Sequence, residues 1–383
     1  MHAGSSAGDP AAASAPAPVT RSLPVRLGRA PLLALAALSM LAGVAGGLAR
    51  LGVALPGPAA DLTLHHGPLM VAGLFGTVIG LERAVAAGAR WTFLGPLASG
   101  LAGLLLVAGG PVGVAAGLFA LAGLVMLAGG LVMAVRHPAL HTAVLAGGGA
   151  CWLAGNLVWL AGRPLAEAVP WWIGFLVLVI AGERLELSRL LKPPPGRTAL
   201  FLAAAALLAG GIVLSSLDRA GELAPVGPGL LALAAWLLRY DIARRTVRQG
   251  GLVRYVAVCL LGGYGWLAAG GLLALSDAAF ARDAALHAVF LGFVLTMVFA
   301  HAPIILPALL KVTVPYRPLF YLHVAILHGS LALRLLADLT DRVELRACGG
   351  LGNALAILVF AAMTVASAVR GRTAGRRGPP SAP

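Results

Sequence analysis

Residues 64–85 read LHHGPLMVAGLFGTVIGLERAV. Two imidazoles stand at one end, Glu82-Arg83 at the other, and no charged side chain lies between. At 1.5 Å per residue an α-helix of this length covers about 33 Å, close to the hydrocarbon thickness of a bilayer. The stretch therefore predicts a membrane-spanning helix with its polar groups near both surfaces. Working outward, comparable apolar runs fall at about 30–50, 92–110, 112–134, 139–161, 170–190, 198–217, 225–240, 253–275, 285–309, 318–337 and 349–369. With the run at 66–88 that makes twelve. The run after Glu222 is short and opens on Pro225 and Pro228.

Composition agrees. Of 383 residues 60% are hydrophobic and 11% charged, against about 25% charged in a soluble domain. That excludes a soluble enzyme, a disulfide-stapled secreted domain and a disordered chain. Continuous apolar runs, rather than short alternating segments, exclude a β-barrel. The expectation is an all-α polytopic membrane protein, a bundle of about 12 transmembrane helices in contact with the lipid bilayer. An Ala/Pro/Ser-rich tail at 1–29, a membrane domain at 30–370 and a basic tail at 371–383 complete the map. The first run is too long for a signal peptide and reads as an uncleaved span.

The net charge is +14. No basic stretch is interleaved with aromatics, so nucleic-acid binding is not expected. If both termini are cytoplasmic, 21 of the 28 basic residues fall on the inner loops, as the positive-inside rule requires. This predicts a multi-pass protein of the bacterial inner membrane. Cys151, Cys259 and Cys348 stand alone, without CxxC spacing, and read as structural.

Ionisable groups inside spans are expensive and mark candidate sites. His65 and His66 open span two, and His287 opens span ten in ALHAVFLGFVLTMVFAHAPIILP. Both sites then lie near the outer surface. Two imidazoles at one depth on different helices can hold a haem iron from opposite sides; interfacial histidines capping helix starts are the plainer alternative. His301, His323 and His328 lie deeper. A copper or other metal at His301 plus one of the others is one reading, hydrogen bonding within the bundle the other. Glu82, Arg83, Glu183 and Arg184 form two acid–base pairs near the inner ends. They read either as ion pairs tying helix ends or as a proton path toward His301. His2 lies in the tail, and His137 and His141 in a short inner loop.

These residues also carry a family resemblance. The segment HHGPLMVAGLFGTVIGLERA resembles helix two of haem–copper oxidase subunit I. There a His-Gly-x-x-Met pattern supplies a haem ligand, matched here by His66-Gly67-Pro68-Leu69-Met70. The helix opened by His287 is similar to that family's tenth helix, which carries the opposing ligand. A closer resemblance is to the NnrS family of twelve-span bacterial proteins. It rests on His65-His66, Gly182-Glu183-Arg184, Gly263-Tyr264-Gly265-Trp266 and Leu286-His287-Ala288, and covers about residues 30–370.

The resemblance implies haem on His66 and His287, copper as a second cofactor, and a role in the response to nitric oxide or in redox chemistry. Span six has no His-Pro-Glu and span seven no histidine, so the oxidase binuclear centre is not expected. The family's Gly-Gly-Arg is here Gly-Glu-Arg, and His301-Ala302-Pro303 replaces its usual motif after span ten. Two alternatives stand beside this: a proton-coupled secondary transporter using Glu183, and a non-catalytic assembly factor for a haem–copper enzyme.

Overall fold

A computed structural model describes residues 26–55, 62–188, 194–218 and 222–376. Among these, all regular structure is helical. The helices are α1 (Arg26–Arg50), α2 (Thr63–Ala87), α3 (Arg90–Val107), α4 (Val112–Arg136), α5 (Leu140–Leu160) and α6 (Leu165–Leu187). They continue with α7 (Arg197–Asp218), α8 (Gly227–Tyr240), α9 (Gly251–Ala274), α10 (Ala281–Leu310), α11 (Pro318–Leu339) and α12 (Val343–Arg376). Eleven of them are long and apolar enough to cross a membrane.

The exception is α8, the short run after Glu222. Its 14 residues extend only about 21 Å. Pro225 and Pro228 set its start, since a proline fits the first helical turn but not its interior. Close contacts fix its direction. A Cβ on Gly211 would meet Val226, one on Gly229 would meet Leu208, and the Trp236 indole N–H donates to the Arg197 carbonyl at 2.9 Å. Residue numbers rise along α8 as they fall along α7, so the two are antiparallel. A Cβ on Gly227 would meet Leu275 as well as Gly271, and one on Gly271 would meet Leu231, so numbers fall along α9 as they rise along α8 and these two are antiparallel as well. The up-and-down order is thereby kept across the short element.

Helix α6 begins at Leu165, five residues before the expected 170. Glu167 in its first turn receives Nε and an Nη of Arg163 at 2.8 and 3.0 Å, an acid placed where the helix dipole favours one. Sixteen of its 23 residues are buried, which puts α6 at the centre of the bundle. The periphery is the reverse: α7 leaves Leu200, Leu207, Leu214 and Leu217 exposed, and α12 Leu351, Leu355 and Leu358. Contiguous exposed leucine of this kind marks a surface that water does not cover, and suits contact with a bilayer. Of the expected tails, 1–25 and 377–383 lie outside the described residues; 26–29 and 371–376 are helical.

Two helices share an unusual interior. In α2 the segment Leu69–Gly76 is π-helical, and in α10 the segment Ala288–Leu295 is too. Each π stretch follows shortly after a histidine and ends at a fully buried threonine, Thr77 and Thr296. A π stretch widens the turn and concentrates at functional sites. The widened turn of α2 is stitched to α3: Thr77 Oγ1 donates to Ser99 Oγ at 3.2 Å, and Ser99 Oγ to the Ala72 carbonyl at 2.6 Å.

The α7–α8 seam is the tightest test of this packing. Gly229→Ala would drive a methyl into the Leu208 backbone, which cannot rotate away. We expect a loss of about 1–3 kcal/mol, the usual cost of overpacking, read as a lower thermal midpoint in detergent. Gly265→Ala, where a Cβ meets nothing, should leave it unchanged.

Candidate functional site

His66 and His287 come together. Both line one cavity of about 540 Å³ at the end of the bundle where α2 and α10 begin, within the 300–1,000 Å³ usual for cofactor sites. His65 is not among its lining residues, so of the neighbouring pair the structure selects His66. Phe75, Trp172 and Phe290 supply apolar wall.

The two rings are fixed in the same way. His66 Nδ1 is 2.6 Å from the Gly43 carbonyl oxygen, and His287 Nδ1 2.7 Å from the Asp283 carbonyl oxygen. A carbonyl only accepts, so each Nδ1 carries the proton and donates it. Each Nε2 is left with its lone pair and, among the described residues, has no hydrogen-bond partner. This is the tautomer and orientation that metal-ligating histidines take from their surroundings. Space is also committed: a Cβ on Gly47 would fall 2.8 Å from His66 Cε1 and Nδ1, so only glycine on α1 admits the ring where it stands. His287 has a further neighbour, the Asp283 carboxylate, whose Oδ2 is 3.4 Å from Nδ1.

The cavity is strongly positive. Arg50, Arg282, Arg334 and Arg346 line it, with Asp283 as its one acid. Arg334 donates to Asp283 Oδ2 at 2.8 Å, and Arg346 Nε pairs with Asp338 Oδ1 at 2.5 Å while its guanidinium lies 3.7 Å from the Phe280 ring centroid. Arg282 donates to the Ala166 carbonyl at 3.2 Å. Sequence reasoning did not single out Arg50, Arg282, Asp283, Arg334, Asp338 or Arg346 as site residues. One signal was available: Arg334 and Asp338 stand four apart in the apolar run 318–337 and its end, where charges are costly without partners.

The deeper histidines stay apart. His301 Nδ1 is 2.7 Å from the Met297 carbonyl oxygen, and its Nε2 is 3.3 Å from an Arg184 Nη. Arginine only donates, so that Nε2 accepts, and a cation there would face a guanidinium. His323 lies among Phe299, Phe320 and Phe360, with Nε2 3.0 Å from the Tyr255 hydroxyl. His328 Nε2 is 3.2 Å from Thr296 Oγ1. Each has its own partner on its own surface, so no shared metal site arises from them. Among the described residues no group of three or more His, Cys, Asp or Glu is placed to hold a metal ion.

The acidic and basic pairs re-sort across helices. Arg83 of α2 pairs with Glu183 of α6, and Arg184 of α6 reaches His301 of α10. Sequence neighbours thus point to different helices, and α6 ties α2 to α10 at the end opposite the cavity. Glu82 lies within electrostatic reach of Glu183.

Comparison with known proteins adds one finding. The model of a family described as a domain of unknown function, DUF8744, matches residues 29–369. The chain belongs to this family. No curated protein and no solved structure matches it. The span shared with the DUF8744 model takes in both histidines, all four cavity arginines and the Arg83–Glu183 tie.

If that tie is structural, Glu183→Gln should lower the thermal midpoint of the DUF8744 protein, because Arg83 loses its charged partner while half-buried. Glu186→Gln, at a side chain that is 56% exposed, should change it far less.

Proposed function

We propose that the protein is a haem-binding protein of the bacterial inner membrane, with His66 and His287 as axial ligands and both termini cytoplasmic. One observation carries this: two imidazoles from separate helices line one cavity, each with Nδ1 bound to a carbonyl and Nε2 unengaged. Two imidazoles with Nε2 unengaged on one cavity walled by Phe75, Trp172 and Phe290 fit an iron porphyrin. Arg50, which lines the cavity, is exposed and has no ion pair among the described residues; it suits a carboxylate of the group, for which guanidinium forks are the favoured partners. The resemblance to the NnrS family points the same way and suggests a role in nitric-oxide response or redox chemistry.

Bound haem would supply one-electron redox chemistry. The chain supplies the rest. Gly43 and Asp283 hold the ligands in one tautomer, α1 closes on His66 through Gly47, and Phe75, Trp172 and Phe290 exclude water. Held by two protein imidazoles, the group would serve electron transfer rather than gas binding. His301, His323 and His328 each have a partner of their own, which favours haem alone over haem with copper. Pairing of Glu183 with Arg83 weighs against Glu183 as the proton-exchanging carboxyl of a carrier.

The decisive variants are His66→Ala and His287→Ala. Protein purified from haem-replete cells should give a pyridine haemochrome near one haem per chain. Each single variant should lose most of it and the double variant all of it. Retention of full haem by the double variant sinks the reading.

Asp283→Asn offers a finer check. Haem content should persist, since the carbonyl that holds Nδ1 remains. Loss of the carboxylate beside His287 lowers the electron-donating power of that ring, so the haem midpoint potential should rise.

A further inference from the structure

At the end of the bundle opposite the histidine cavity lies a second cleft, of about 470 Å³. Five arginines line it: Arg197 at the start of α7, Arg239 at the end of α8, and Arg244, Arg245 and Arg248 in and after the short helix Ala243–Thr246. Its one acid is Asp241. None of the five arginines is in an ion pair among the described residues, although all five line one cleft.

A run of basic residues in a loop is the ordinary mark of a cytoplasmic face and needs no pocket. Three observations set this one apart. First, Arg197 is recruited from more than forty residues upstream of Arg239 and is buried, 5% exposed. One Nη donates to the Ser188 carbonyl at 3.0 Å, the guanidinium lies 6.0 Å from the Trp236 ring, and its buried Nε has no partner. Second, the loop is built rather than loose. Asp241 accepts from the Ala243 N–H at 2.7 Å, Arg244 donates to the Arg239 carbonyl at 2.9 Å, and Arg239 lies over Tyr240 at 5.1 Å. Third, Asp241 is a weak counter-charge. Burial raises its carboxyl above the usual range, against the pull of the Ala243 N–H and Arg184.

We infer that this cleft binds an anion carrying two phosphate groups, held by bidentate contacts from the arginines that line it. Arginine forks match phosphate oxygens in geometry and charge. Five of them exceed what a single phosphate can engage, and the volume suits a diphosphate. The same chemistry comes from two sources: a two-phosphate lipid headgroup such as that of cardiolipin, or a soluble diphosphate. Basic pockets between helices at a membrane surface are suited to the first, and Tyr240, which lines the cleft, is of the aromatic type enriched at membrane–water interfaces. The site is independent of the haem reading, since it shares no residue with the histidine cavity.

The test uses full-length protein in detergent, wild type against Arg245→Gln/Arg248→Gln. A control, Arg90→Gln/Arg136→Gln, removes two exposed charges elsewhere. Inorganic pyrophosphate binding is followed by calorimetry, and cardiolipin retention by native mass spectrometry. Saturable pyrophosphate binding, weakened tenfold or more by the cleft variant and not by the control, supports a soluble diphosphate. Cardiolipin retention that falls tenfold in the cleft variant alone, and that pyrophosphate does not displace, supports the lipid. Absence of saturable binding of both probes overturns the inference, as does binding equal in the cleft variant and the control. Both variants should keep wild-type elution and helicity. Should the cleft variant not, Arg248→Gln alone replaces it, with a threefold or greater loss expected and an unchanged affinity counting against the site.

Discussion

Inside an apolar bundle a polar atom must find a partner in the protein itself, and this constraint organises the molecule. Where partners are found, helices are tied: Arg83 to Glu183, Arg184 to His301, Asn156 to both Phe119 and Trp172. Where a partner is withheld, a site opens. His66 and His287 each satisfy one ring nitrogen on a carbonyl and leave the other unengaged. His301, His323 and His328 differ in place: their Nε2 atoms have neighbours and none of the three lines the cavity, although His323 Nδ1 is buried without a partner.

Much of the fold was legible in the sequence because bilayer thickness imposes a length on each apolar run. Eleven of the twelve expected spans correspond to helices long enough to cross. The twelfth failed on length for a reason visible in Pro225 and Pro228, and direct backbone contact with α7 and α9 still carries it antiparallel between them. The ends were less legible. The start of α6 depends on the Arg163–Glu167 pair, a local electrostatic effect that hydropathy does not register.

For the candidate site, depth could be counted but azimuth could not. Counting along helices put His66 and His287 at one level, and the structure places both on one cavity. It could not choose His66 over His65, because adjacent residues differ by about 100° around a helix. Nor could it foresee π-helical turns at Leu69–Gly76 and Ala288–Leu295, which shift every later side chain around the axis. The arginine rim was missed for a related reason. Arg334 and Arg346 come from α11 and α12, and only their antiparallel packing brings them to Asp283 and Asp338.

We propose that the His66 and His287 rings share one iron. Low-temperature electron paramagnetic resonance of the oxidised purified protein reads this directly, because two strong nitrogen ligands force ferric haem into its low-spin state. The account predicts a low-spin bis-histidine spectrum that disappears when His287 is replaced. A spectrum without any haem signal, or one that is high-spin in the wild-type protein, contradicts it.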